Sequence, residues 1–144
     1  MTVPVDNSAS VLVLFPSSHS ASEIEVGVEE VQEAFTRYGS VPVKLTDSLT
    51  WYKQQFSAAG NWDSWALETV AGKSYFDRQP HFAGFVYSGP DEVGRGTGKI
   101  LSLSLAYGKP VYRYLDGALA PVEEVVQDGS SWKITVQEKG GPRA

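Results

Sequence analysis

Cysteine is absent from the chain. That excludes a disulfide framework, a thiol nucleophile and any cysteine-built metal site. Histidine is almost as scarce: His19 and His81 lie far apart, and a zinc site using them would need carboxylates that no spacing supplies. No apolar run approaches the ~18 residues of a membrane span, and the first residues lack the basic stretch and cleavage pattern of a secretory leader. The expectation is a protein that works in a cytoplasm, away from membranes and without cofactor or metal. Positive charge is short as well. Lys and Arg number 12 against 17 Asp and Glu, for a net charge of −5 and a pI near 5.0. Duplex nucleic acid is thereby disfavoured as a partner, because its binders present a basic face that releases counterions. A single nucleotide needs only a few local cations and stays within reach.

What is present is ordinary for a globular protein. Hydrophobic residues make up 42% and charged residues 20% of 144, enough for a core and too apolar for a disordered chain. One domain spanning 1–144 is expected, with loose ends over 1–10 and 138–144. Val11-Leu12-Val13-Leu14-Phe15 reads as a strand buried on both faces, closed by Pro16. Ser22 and Glu25 have capping-box spacing. Ile24, Val28, Val31 and Phe35 then recur at helical intervals, and Gly39 stands where such a helix would end. Val41, Val43 and Leu45 alternate with polar residues around Pro42, which favours an edge strand.

The segment Asp47–Pro80 is rich in aromatic residues: Trp51, Tyr52, Phe56, Trp62, Trp65, Tyr75 and Phe76. It could cover a sheet face, wall a pocket or form an oligomer contact, and Asp63 could cap a helix within it. Phe82–Tyr87 is a second buried strand. A Gly-rich loop follows, then a helix that starts near Thr97 and stops at Gly108, then the β-rich run Val111–Leu115. Beyond the turn-rich link Asp116-Gly117-Ala118, Val122–Gln127 and Trp132–Gln137 flank a hairpin turn at Asp128-Gly129-Ser130-Ser131. The whole predicts a three-layer, flavodoxin-like or Rossmann-like α/β sandwich, with a mostly parallel sheet of about five strands and a C-terminal β-hairpin.

Strand, Gly-rich loop, helix and strand form a βαβ unit, which places ligands at the carboxyl ends of its strands. Gly94-Arg95-Gly96-Thr97-Gly98-Lys99 puts small residues, a hydroxyl and two cations at a helix N-terminus, where free N–H groups and the helix dipole favour an anion. It is not a Walker loop, since Ile100 replaces the magnesium-binding hydroxyl, and it lacks the dinucleotide glycine spacing. Ser17, Ser18, His19 and Ser20 follow the first strand and should reach the same sheet edge. The expected ligand-binding set is Ser17, Ser18, His19, Ser88, Gly89, Arg95, Gly96, Thr97, Gly98 and Lys99. Candidates for catalysis are His19, as a general base with no aspartate placed to orient it, and the carboxylate pair Asp91-Glu92. His81, beside Pro80 at a strand start, reads as structural.

Residues 83–112 resemble the nucleoside deoxyribosyltransferase-like family, which includes the deoxynucleotide N-glycosidases. The matching elements are Gly89-Pro90-Asp91, Gly96-Thr97 and Gly108-Lys109-Pro110-Val111, with a helix of the expected length bearing Ser102, Ser104 and Ala106. The order of opening strand, polar loop and capped helix agrees too. The resemblance implies a flavodoxin-like fold, nucleoside or nucleotide ligands, and a glutamate nucleophile eight residues before the glycine of Gly-Lys-Pro-Val. Here that position is Ile100. The family's strand-end aspartate is Ser88, and its acidic residue before Gly-Thr is replaced by Gly94-Arg95. Glycosyl transfer needs a carboxylate to attack or stabilise an oxocarbenium-like centre and a second acid or base. Isoleucine does neither.

Three readings follow. The first is a binder of a nucleotide or related phosphorylated small molecule on an enzyme scaffold that lacks the chemistry. The second is an active N-glycosidase or deoxyribosyltransferase with relocated carboxylates, drawn from Asp91, Glu92 or Glu68. The third is an interaction protein using the aromatic insertion 47–80, as a homo-oligomer or with another partner.

Overall fold

A computed structural model describes residues 10–16, 19–37, 44–71, 82–90, 92–129 and 131–136. Residues 1–9 of the expected loose end 1–10, the end at 138–144, Gly39, Pro42, Tyr75, Phe76 and His81 lie outside them. So do the side chains of Phe56, Trp62, Glu68 and Arg95. Ser10, by contrast, is not loose but buried at the start of the first strand.

The elements are β1 (Ser10–Leu14), α1 (Ala21–Arg37), β2 (Lys44–Asp47), α2 (Ser48–Ala59), α3 (Trp62–Ala71) and β3 (Phe82–Tyr87). They continue with β4 (Glu92–Val93), α4 (Arg95–Ala106), β5 (Val111–Leu115), β6 (Ala118–Asp128) and β7 (Ser131–Val136). All seven strands join one sheet in the order β2-β1-β3-β5-β6-β7-β4. β2, β1, β3 and β5 run parallel, while β6, β7 and β4 add antiparallel pairs. The expectation of a mostly parallel sheet of about five strands is therefore corrected to a mixed sheet of seven. The cause is local. Asp116 and Gly117 adopt φ of 45° and 84°, and Leu115 pairs directly with Ala118 across them. Two residues with positive φ form the turn whose twist suits an antiparallel hairpin. The chain doubles back here, so what reads as a link is the start of β6.

β1 shows how the core divides. All five of its residues are buried. Val11 and Val13 pack with Ile24, Val31, Ala34 and Phe35 of α1, whereas Leu12 and Leu14 pack with Trp51, Trp65, Ala66, Val70, Ile100 and Leu101. Strand alternation thus feeds a core on each face of the sheet, with α1 on one side and α2, α3 and α4 on the other. In β3, Phe82 and Phe85 share a core despite their odd spacing. Ser10 pairs with Phe82 but Val11 with Gly84, so exposed Ala83 is an inserted bulge residue.

α1 starts earlier than expected. Its box joins Ser20 to Glu23: the Ser20 N–H donates to Glu23 Oε1 at 2.7 Å, and the Glu23 N–H donates to Ser20 Oγ at 3.2 Å. The Ser22/Glu25 pair is two residues too late, while the buried stripe is nearly as anticipated, with Gly27 and Ala34 added and Val28 half-buried. Gly27 lies against Phe15; a Cβ there would meet that ring at 2.5 Å. β2 occupies the sheet edge, as the Pro42 region suggested.

The aromatic insertion becomes α2 and α3, and its described indoles face inward. Trp51 is buried, donates Nε1–H to Thr69 Oγ1 at 2.8 Å and meets Phe82 edge-on at 4.9 Å. Tyr52 meets Trp65 edge-on at 5.7 Å. Burial of side chains this size stabilises by roughly 1.5–3 kcal/mol each, so they serve as the cover of the sheet. Lys109 then ties the far end of α3 to β3, its Nζ donating to Val70 O at 2.7 Å and Phe82 O at 2.9 Å. Burial pushes its ammonium below the usual lysine range. No helix among the described residues is long and apolar enough to cross a membrane.

Candidate functional site

The chain runs from β1 out to β2 on one side, then returns to β3 on the other, so strand order reverses between β1 and β3. Ligands of open α/β sheets sit at the carboxyl edge of such a reversal. The Ser88 N–H donates to Leu14 O at 2.9 Å, which brings the loops after β1 and β3 together as expected. Gly89 interlocks them. A Cβ there would lie 2.5 Å from the Tyr87 hydroxyl and 2.9 Å from Pro16 Cγ, so only glycine fits without displacement.

Sequence reasoning missed Arg113. It is buried in β5 and donates from Nη2 to Gly89 O at 2.7 Å, holding the loop from beneath. Its signal was present: a cation inside the apolar run Val111-Tyr112-Arg113-Tyr114. A buried guanidinium needs fixed acceptors, and a loop carbonyl is one.

α4 is preceded by Gly94, whose φ of −79° and ψ of 177° are those of a helix N-cap and which has no side chain with which to cap the first turn. The other helix starts are closed. Ser20 and Glu23 cap α1. Asp47 caps α2, accepting from the Thr50 N–H at 2.8 Å and the Thr50 hydroxyl at 2.9 Å. Asn61 caps α3, accepting from the Ser64 N–H at 2.8 Å, which leaves Asp63 for another role. On α4 the first intrahelical bond runs from Gly98 N–H to Gly94 O at 2.8 Å. The N–H groups of Arg95, Gly96 and Thr97 precede it and have no partner within the helix.

The residues after them turn aside. Gly98 is buried under Trp132: a Cβ would meet the indole Cγ at 2.2 Å. Lys99, half-buried, reaches exposed Asp63 of α3 at 2.6 Å. Asp63, Leu67, Lys99, Ser102, Leu103 and Trp132 line a groove of about 310 Å³ between α3 and α4. Ile100, where the resembled family keeps its nucleophile, is fully buried in the sheet-facing core.

His19 belongs to a different depression. Its ring leans on Phe15 at 5.8 Å, and it lines a cleft of about 570 Å³ with Glu25, Glu29, Asp47, Thr50 and Lys53. Three carboxylates against one lysine make that cleft a poor place for a phosphate. Eight of the ten predicted binding residues are described, and they divide among three places. Ser88 and Gly89 stand at the reversal and His19 in the acidic cleft, while Arg95, Gly96, Thr97, Gly98 and Lys99 form the first turn of α4. Ser17, Ser18 and Asp91 lie outside the described residues. Glu92 is exposed in β4, in register with Lys133. Among the described residues no group of three or more His, Asp or Glu could hold a metal ion.

No family model, curated protein or solved structure matches the chain. The resemblance to the deoxyribosyltransferase-like family rests on its own residues.

Proposed function

We propose that this chain binds a small phosphorylated, nucleotide-like molecule at the start of α4, without the glycosyl-transfer chemistry of the family it resembles. The observation that carries this reading is the open first turn of α4. Three helices are capped at their N-termini by side chains, while the fourth, which follows the loop from the strand-order reversal, has a glycine at its cap and no side-chain cap bond among the described residues. The N–H groups of such a turn and the helix dipole together favour an anion. Arg113, through Gly89, supports the loop that leads there. Ile100 argues for binding over turnover, because its side chain is core and not cleft.

The test uses Gly94→Asp. Nothing lies within 4 Å of a Cβ at that position, so aspartate fits, caps the helix itself and presents a negative charge to any incoming anion. Wild-type protein should melt higher in millimolar adenosine 5′-monophosphate or ribose 5-phosphate, since a ligand that prefers the folded state stabilises it. The Gly94→Asp protein should melt at or above the unliganded wild type and show no response to either compound. A response of full size in that variant would refute the site. Incubation with deoxynucleotides should release no free base; release would restore the enzyme reading.

A further inference from the structure

The groove between α3 and α4 opens beside the same first turn, and its wall is aromatic. Trp132 is held there by two constraints. Its backbone pairs with Val93 of β4 and with Gln127 of β6, and part of its indole rests on Gly98, whose missing side chain makes room. The side chain is half-buried and lines the groove together with Leu67 and Leu103. A rigid indole with one side fixed and another facing a recess is a stacking surface for a flat ring. The volume, about 310 Å³, is at the small end of ligand sites and suits one heterocycle more than a large ligand. At the rim half-buried Lys99 forms an ion pair with exposed Asp63. Such pairs are held weakly because solvent screens them, so Lys99 can exchange Asp63 for an anionic group at little loss. An apolar floor, an aromatic wall and an exchangeable cation therefore lie within two turns of an open helix start.

We infer that this groove takes the aromatic base of a nucleotide, stacked on Trp132, while the phosphate of the same molecule occupies the first turn of α4. This inference rests on the binding reading above and narrows it: the ligand is a nucleotide and not a sugar phosphate. Its specificity lies in the ring, since stacking is available to any base and not to a bare ribose.

The experiment titrates adenosine 5′-monophosphate, ribose 5-phosphate and adenosine into wild type, Trp132→Leu and Ser102→Phe, following binding by calorimetry. Ser102 lines the groove from α4, so phenylalanine there fills the recess while both Trp132 and Gly98 are kept. That variant guards against a Trp132→Leu protein that folds poorly. In wild type the nucleotide should bind about tenfold more tightly than ribose 5-phosphate, the increment expected of one stacked base. Both variants should bring the two affinities within about twofold while leaving ribose 5-phosphate binding as it was. Equal affinities in wild type, or a ratio that survives in both variants, would overturn the stacking site and leave the anion site standing. Adenosine binding that depends on Trp132, with no binding of ribose 5-phosphate, would support the ring site and overturn the anion site. If none of the three compounds binds, both fall.

Discussion

Replacing Gly98 with alanine places a methyl carbon 2.2 Å from Cγ of Trp132, 2.4 Å from Cδ1 and 2.6 Å from Cδ2. Ordinary carbon contacts are ~3.5–4.0 Å, so the indole must retreat by more than about 1 Å. It cannot do so by moving its backbone, which is paired on both sides, to Val93 and to Gln127. It has to leave its rotamer or push β7 away from α4. Overpacking of this kind costs about 1–3 kcal/mol. Against it stands the helix preference for alanine over glycine, about 1 kcal/mol. Gly98→Ala should therefore destabilise by up to about 2 kcal/mol. In a Trp132→Ala background the methyl enters vacated space, only the helix preference remains, and the same substitution should stabilise by about 1 kcal/mol. The sign reverses. The coupling, equal to the overpacking cost of about 1–3 kcal/mol, would exceed the ~0.5 kcal/mol scatter of independent sites. Urea denaturation followed by far-ultraviolet circular dichroism measures all four proteins without relying on indole fluorescence. Destabilisation in both backgrounds, or coupling below about 0.5 kcal/mol, would show that Trp132 does not rest on α4 and would remove the wall of the proposed stacking site.

Gly117 takes φ of +84° in the β5–β6 turn, where its carbonyl accepts from Arg37 Nη1 at 2.8 Å. Gly117→Ala should lower stability by about 1–2 kcal/mol, and Gly117→Asn should recover part of it because asparagine tolerates that conformation; chemical denaturation midpoints decide. Trp51→Phe removes the bond to Thr69 and part of a buried ring, and should lose about 1–3 kcal/mol by the same measurement. Hydrogen bonds from Ser20 hold the exposed Glu23 carboxyl below its usual 4.5. The folded form then binds that proton less readily than the unfolded form, so the stabilisation is complete above pH 4.5 and fades as pH falls through the lowered value. Glu23→Gln, which keeps a side chain able to cap, should flatten this acid limb, read as amide exchange in the first turn of α1 between pH 5 and 3. An acid limb unchanged in that variant would place the titration elsewhere.

Local chemistry was enough for most elements. The uninterrupted run Val11–Phe15 could only be a strand covered on both faces, and the Gly108 stop, at φ of +72°, marked the end of α4. The hairpin of β6 and β7 was legible from Asp128-Gly129, although β6 begins four residues before the expected Val122 and β7 one before Trp132. The capping box was ambiguous because Ser20 and Ser22 each precede a glutamate by three residues, and sequence spacing cannot rank them. β4 was invisible. Two residues have no periodicity, and Glu92-Val93 becomes a strand only by pairing with Lys133 and Trp132.

The candidate site divides along the same line. By itself the amino-acid order determined that a glycine-opened helix follows a buried strand, and that the position eight residues before Gly108 carries no carboxylate. Only tertiary structure decided where the neighbouring side chains went. Lys99 turns to Asp63, Gly98 shelters under Trp132, and Gly89 lies over Arg113. Each of these pairs joins residues more than twenty positions apart, and the sheet order sets which of them meet. Propensity and capping act over a few residues along the chain, whereas the surroundings of a helix start are built by whichever strands and helices pack beside it.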